Sequence, residues 1–200
     1  EIMPSLVGSE MCIRDRNNGI INHYEYIINS EGTIEIRHVL KPEGKMPLWF
    51  PRIGLTLTVS DALDQVKWYG RGPQENYPDR KTGYPTGIYA STVQAMYEPY
   101  LMPQDYGLRT DVRWLQLTTD KGIGLQFKMN EWFNFNIYPY STDNLTKAMY
   151  TYQLQKQKGM TLNLDYATTG VGCTARGVFG AYKAMPQEYR RTISIRPMMK

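Results

Sequence analysis

The sequence is poor in the residues that build metal centres and disulfide frameworks. Only two cysteines, Cys12 and Cys173, and two histidines, His23 and His38, occur among its 200 residues. The cysteines lie far apart, so they suggest no disulfide scaffold and cannot form a zinc site by themselves. With so few histidines, a His-rich metal site is not expected either. No apolar run approaches the ~20 residues that a membrane-spanning helix needs, and no membrane association is predicted. Lysine and arginine number 23 against 19 aspartates and glutamates, a formal charge of +4. The basic residues are scattered, without the block that tracks phosphates, so nucleic acid is not an expected partner. No internal repeat or low-complexity linker divides the chain. Its length suffices for one domain with a continuous core.

What the chain does have is aromatic, amphipathic strand sequence. Aromatics make up 12% of it, and 16 residues are tyrosine, a bias typical of sheet-rich proteins. Residues 24–28 and 34–40 alternate around the turn residues Asn29 to Gly32, a hairpin signal. Further alternation predicts strands at 53–59, from Val66 to Trp68, at 112–116, 123–129 and 133–137, around Leu162 and Leu164, and at 189–196. Asp120-Lys121-Gly122 reads as a turn. Ser141 to Asp143 reads as a helix start, with Leu145, Ala148 and Met149 as its apolar stripe. Two stretches lack this order. Gly70 to Pro103 is rich in Gly, Pro, Asn, Asp and Tyr, and its aromatics favour a functional loop system over disorder. Gly170 to Met185 is a second loop. The prediction is an all-β, antiparallel β-sandwich with long loops at one end. Residues 1–16 show neither alternation nor a helical stripe, and lack the features of a signal peptide. They read as a non-native lead-in of the kind left by adaptor read-through, or as a flexible genuine one, with the domain itself over 17–200.

Two segments carry the groups from which a site is most readily built. The first is WYGRGPQENYPDR at 68–80. Gly70, Gly72 and Pro73 dictate an irregular, tight backbone. Glu75, Asn76, Asp79 and Arg80 are placed to hydrogen-bond sugar hydroxyls, with Trp68, Tyr69 or Tyr77 as a flat apolar platform. The alternative, which the spacing favours, is that Trp68, Glu75, Asn76, Asp79 and Arg80 organise the loop itself, because buried polar groups must be satisfied. Two carboxylates here invite a comparison with glycoside hydrolysis, but that chemistry depends on a separation that sequence does not give. The second segment is GVGCTARGVF at 170–179. Its glycines allow close approach of the backbone, but no helix start follows them, which argues against a phosphate loop. Cys173 has no histidine near it in sequence and reads as a small structural residue rather than a nucleophile.

These segments, in order, resemble the C-terminal domain, or small chain, of the family-two β-galactosidases. The resemblance runs from about Tyr24 to Arg196. Besides 68–80 it rests on Leu55 to Val59, Pro99-Tyr100 with Pro103-Gln104, RTDVRW at 109–114, Phe133-Asn134-Phe135, Leu162 to Asp165 and Gly170-Val171-Gly172. It implies the galactose-mutarotase-like supersandwich that ends such polypeptides, here truncated at its N-terminal side. It also implies hydrolysis of terminal β-D-galactosides with retention, by two glutamates of an upstream (β/α)8 barrel. The magnesium and sodium ligands of these enzymes also lie upstream, so no catalytic residue, metal site or cofactor is assigned to this stretch, and the fragment alone is expected to be inactive. The implied partners are the upstream domains, the galactoside and further copies of the chain in a homo-oligomer. One departure concerns the sugar. The family follows Gly-Val/Ile-Gly with Gly, two Asp, Ser and a tryptophan that stacks on the substrate. Here Gly177 falls at the tryptophan position, leaving Phe179 and Arg176 as the substrate-binding candidates. An autonomous carbohydrate-binding module and a purely structural sandwich remain the alternatives.

Overall fold

The computed structural model describes residues 5–15, 18–173 and 177–199. Among the described residues ten antiparallel strands carry the fold: β1 (Ser5–Asp15), β2 (Asn18–Ile28), β3 (Ile34–Glu43), β4 (Arg52–Val59), β5 (Gln65–Arg71), β6 (Thr86–Thr92), β7 (Arg109–Thr118), β8 (Gly124–Tyr138), β9 (Met160–Thr168) and β10 (Tyr189–Met198). The main path runs β1-β2-β3-β10-β8-β7-β5-β6, with β4 and β9 branching from it. The branch point is β8. One of its edges pairs with β7 along its length. The other pairs with β10 over Gly124 to Met129 and with β9 over Asn134 to Tyr138. One long strand thus serves two leaves, and the antiparallel β-sandwich read from the sequence is the fold.

The alternation seen in the sequence is the burial pattern. Val66 and Trp68 of β5, Leu115 and Leu117 of β7, Phe127, Phe133 and Phe135 of β8, and Leu162 and Leu164 of β9 are each at most 1% exposed and form one core. Each such side chain contributes about 1.5–3 kcal/mol on burial. The predicted hairpin turn forms, with the Asn29 side chain accepting from the Glu31 and Thr33 amides at 3.0 and 2.9 Å. Helix α1 (Thr142–Lys147) starts at Ser141, whose hydroxyl accepts from the Asn144 amide at 3.1 Å. Leu145 and Ala148 are buried, but Met149 lies beyond the helix and is exposed.

Several boundaries differ from expectation. The strands predicted at 123–129 and 133–137 are one, because the intervening residues stay extended while the pairing to β7 shifts register. The Gly70 to Pro103 stretch is not all loop: β6 lies within it and pairs with β5. Its burial pattern has no buried face, and its one aliphatic side chain of size, Ile88, is 61% exposed, so it carries no core signature. Part of the 1–16 lead-in is strand β1, paired with β2 at the outer edge of the sheet.

Strand β9 is buried on both faces. Its apolar residues enter the core, while Thr161, Asn163 and Asp165 face a second, polar layer beneath the 94–108 and 139–158 segments. Arg52 on β4 bonds Asp165 at 2.7 Å, Asp105 at 3.2 Å and Asn136 at 3.2 Å. Asn163 donates to Asn136 at 2.8 Å, and Asn136 donates to Asp105 at 2.9 Å. Burial pushes the Asp165 carboxyl up, to about 6, against the pull of Arg52. Burial pulls the Arg52 guanidinium down, but Asp165 and then Asp105 more than offset this and hold it above its usual value.

Candidate functional site

The 68–80 segment leaves β5, turns through Gly72 and Pro73, and is sewn to the start of β7. Asn76 is fully buried. Its side-chain oxygen accepts from the Thr110 amide at 3.0 Å and hydroxyl at 2.6 Å, its amide group donates to the Gln74 carbonyl at 3.0 Å, and its backbone amide donates to the Leu108 carbonyl at 2.8 Å. Glu75, also buried, accepts from the Tyr77 hydroxyl at 3.2 Å, the Gly107 amide at 2.8 Å and the Tyr100 hydroxyl. Three donors thus converge on one buried carboxylate and tie this segment to Tyr100 and Gly107. Burial and then Glu75 raise the Tyr77 phenol well above its ordinary value. Beside them, burial lowers the Arg109 guanidinium to about 10, opposed by Glu75 and Glu98. Arg109 donates to the Pro73 carbonyl at 3.0 Å and the Gly107 carbonyl at 2.9 Å.

Trp68 is 1% exposed and donates through its indole N–H to the Arg71 carbonyl at 3.0 Å. It packs edge-on to Phe135 with ring centroids 5.9 Å apart, and so belongs to the core, as does the buried Tyr77. Tyr69 remains at the surface, with the Arg113 guanidinium 5.1 Å from its ring centroid. The same guanidinium lies 4.0 Å from that of Trp132, a tryptophan 60% exposed. Arg80 is exposed, 5.8 Å from the Tyr77 ring centroid.

Asp79 joins the two segments singled out in the sequence. Its carboxylate accepts from the Val171 amide at 3.1 Å and from the Gly172 amide at 2.7 Å. A Cβ on Gly170 would stand 2.3 Å from the Asp79 carboxyl carbon, so only glycine lets the two chains approach this closely. Gly172, at φ 66, also runs close to Gly177, where a Cβ would stand 2.7 Å from the Gly177 carbonyl carbon, and Cys173 pairs with Gly177 as an isolated bridge. Cys173 is exposed and free. Arg176 lies outside the described residues. Phe179 follows, 67% exposed, outside the core.

Sequence reasoning did not find the ion cluster beside this clamp. Asp111, held at φ 54, receives Arg71 at 2.5 Å and Lys81 at 3.0 Å. Burial would raise its carboxyl, but the hydrogen bonds from Arg71 and Lys81 win and hold it below the usual range. Lys81, Asp111, Asn134, Thr168 and Tyr182 line a cavity of about 220 Å3 next to the clamped loop. The charged members of the cluster, Arg71, Lys81 and Asp111, lie inside the motifs quoted above or one residue beyond them; what the sequence lacked was the pairing of Arg71 with Asp111 across 40 residues. Among the described residues no group of three or more His, Cys, Asp and Glu side chains stands close enough to hold a metal ion.

The family model described as "Beta galactosidase small chain" matches residues 7–195. The chain belongs to the β-galactosidase small-chain family. Among its relatives, the β-galactosidase of Priestia megaterium is 38% identical over 147 residues, 74% of this chain and 14% of that protein. That of Vibrio cholerae is 39% identical over 122 residues, 61% of this chain and 11% of that protein. That of Pseudoalteromonas haloplanktis is 33% identical over 159 residues, 78% of this chain and 14% of that protein. The small chain thus spans about a seventh of the length of such relatives. Among solved structures, a GalM/aldose epimerase homologue from C. elegans aligns with a TM-score of 0.48 at 12% identity, over 98% of this chain and 68% of that one.

Proposed function

We propose that this small-chain domain completes the substrate pocket of a β-galactosidase whose catalytic glutamates stand on upstream domains, and that the 170–179 loop forms one wall of that pocket. The reaction is hydrolysis of a terminal β-D-galactoside with retention. The observation that carries this reading is the pairing of an exposed Phe179 with a loop buckled at its base by Asp79. An aromatic ring that its own domain leaves uncovered, on a limb anchored by charge-assisted hydrogen bonds, suits contact with a ligand held elsewhere. Phe179 offers the apolar face of a pyranose a phenyl platform where relatives use an indole, and Arg176 donates to sugar hydroxyls. The polar 68–80 groups hold the backbone in place and do not touch substrate. Magnesium and sodium belong to the upstream domains, and no step here is routed through them.

The test uses the chain alone and the chain joined to its upstream domains. Alone, it is expected to leave a chromogenic β-galactoside intact. In the complete enzyme, Phe179→Ala should raise KM by up to about tenfold, about 1.4 kcal/mol, with an unchanged melting temperature. Hydrolysis by the pure chain, or a normal KM in the Phe179 variant, overturns the assignment.

A further inference from the structure

A second cavity, of about 530 Å3, opens at the other end of β9. Met160 lines it, whereas the clamped loop follows Thr168; eight residue steps of ~3.3 Å separate the two ends by about 26 Å. The volume falls in the range of about 300–1,000 Å3 usual for small-molecule sites. Its wall includes Tyr97, Tyr106 and Tyr140. Tyr106 is 2% exposed and stands edge-on to Tyr97, with ring centroids 5.3 Å apart. Burial, then Tyr140 and Tyr97, hold the Tyr106 hydroxyl far above its ordinary value, and burial, then Tyr97, raises Tyr140. Tyr106 and Tyr140 therefore stay neutral, each able to donate and to accept. Gln94 and Gln157 supply amides on the same wall. Gln157 gives one N–H to the Thr161 hydroxyl at 2.8 Å, which fixes its side-chain amide, and its oxygen is an acceptor.

We propose that this cavity is a second, non-catalytic binding site for a neutral pyranose sugar. Tyrosine rings offer flat apolar surface to the C–H face of the ring, and neutral hydroxyls and amides match its alcohols. Among the described residues the one cation on the wall, Lys156, is outnumbered by Asp61 and Asp64, which disfavours phosphorylated or acidic sugars. The site does not depend on the catalytic reading, and it is read without catalysis. The 15N-labelled full chain is titrated with galactose, glucose and lactose while its backbone amide resonances are followed. Saturable shifts at Gln94, Gln157 and Gly159 are expected with at least one of them. Tyr106→Phe, which removes one oxygen and keeps the ring, should weaken that binding about five- to tenfold at an unchanged melting temperature. The absence of saturable shifts with all three sugars up to about 100 mM, where a millimolar site would be filled, overturns the proposal. So do shifts confined to residues 170–173, or an unchanged affinity in the Tyr106 variant.

Discussion

Removing the Asp79 carboxylate should release the 170–173 limb without unfolding the sandwich. The Val171 and Gly172 amides donate to it at 3.1 and 2.7 Å. A hydrogen bond to a charged group contributes about 1.5–3 kcal/mol, and for a carboxylate only partly buried the lower figure applies. Two such bonds give about 3 kcal/mol against local opening, a factor of roughly 100 in the exchange protection of those amides. Asp79→Ala should therefore speed exchange at Val171 and Gly172 about 100-fold, while core amides of β8 change little. Asp79→Asn should fall between, since its one remaining oxygen serves one donor and its NH2 faces the other. Gly170→Ala attacks the same contact from the opposite side, because its Cβ needs the space 2.3 Å from the carboxyl carbon. The two changes should be far from additive when combined. Native-state hydrogen exchange followed by NMR reads all three variants. If Val171 and Gly172 exchange in Asp79→Ala as they do in the parent chain, the carboxylate does not hold the limb and the clamp is refuted.

Arg52→Met should cost about 3–5 kcal/mol in urea unfolding, because Asp165, 2% exposed, loses its nearest cation; a loss under 1 kcal/mol would show that water or Asn136 replaces it. His38 is held neutral, its ring nitrogens bonded to the Tyr166 hydroxyl at 2.7 Å and the Asn22 side chain at 3.0 Å, and burial lowers its pKa to about 4 from 6.5. Between those values the unfolded chain binds the extra proton, so stability present above pH 6.5 is lost as pH falls toward 4, on the order of 3 kcal/mol; unfolding curves of His38→Gln should show a shallower acid limb, and an unchanged one refutes the linkage. Deleting residues 1–16 removes an edge strand paired to β2. It should change the urea midpoint little, and a loss above about 1 kcal/mol would show that the segment packs as an integral element.

The sequence made the sandwich legible wherever one face of a strand meets the core, as at Val66 and Trp68 or Leu162 and Leu164. It concealed β6, whose side chains have no buried face to advertise, and it split β8, whose central residues are extended but exposed. The glycines of 170–172 announced a close backbone approach but not its partner. That partner, Asp79, lies more than 90 residues earlier and looks in the text like any polar loop residue. The cavity tyrosines were hidden in a different way. Tyr97 and Tyr106 come from the connection between β6 and β7 and Tyr140 from the one after β8, and only the folded chain brings them to one volume.

The position of β10 has a consequence for how the chain is made. The outer strands β1 to β3 are joined to the rest of the sheet through β10, which pairs with β3 on one side and β8 on the other. Strands made early in this domain therefore wait for one made later. Until Tyr189 to Met198 emerges, β3 presents an unpaired edge to other nascent chains, and so does the first half of β8. Closure of this sheet follows the emergence of β10, and a chaperone that shields those two edges would act on the interval before it.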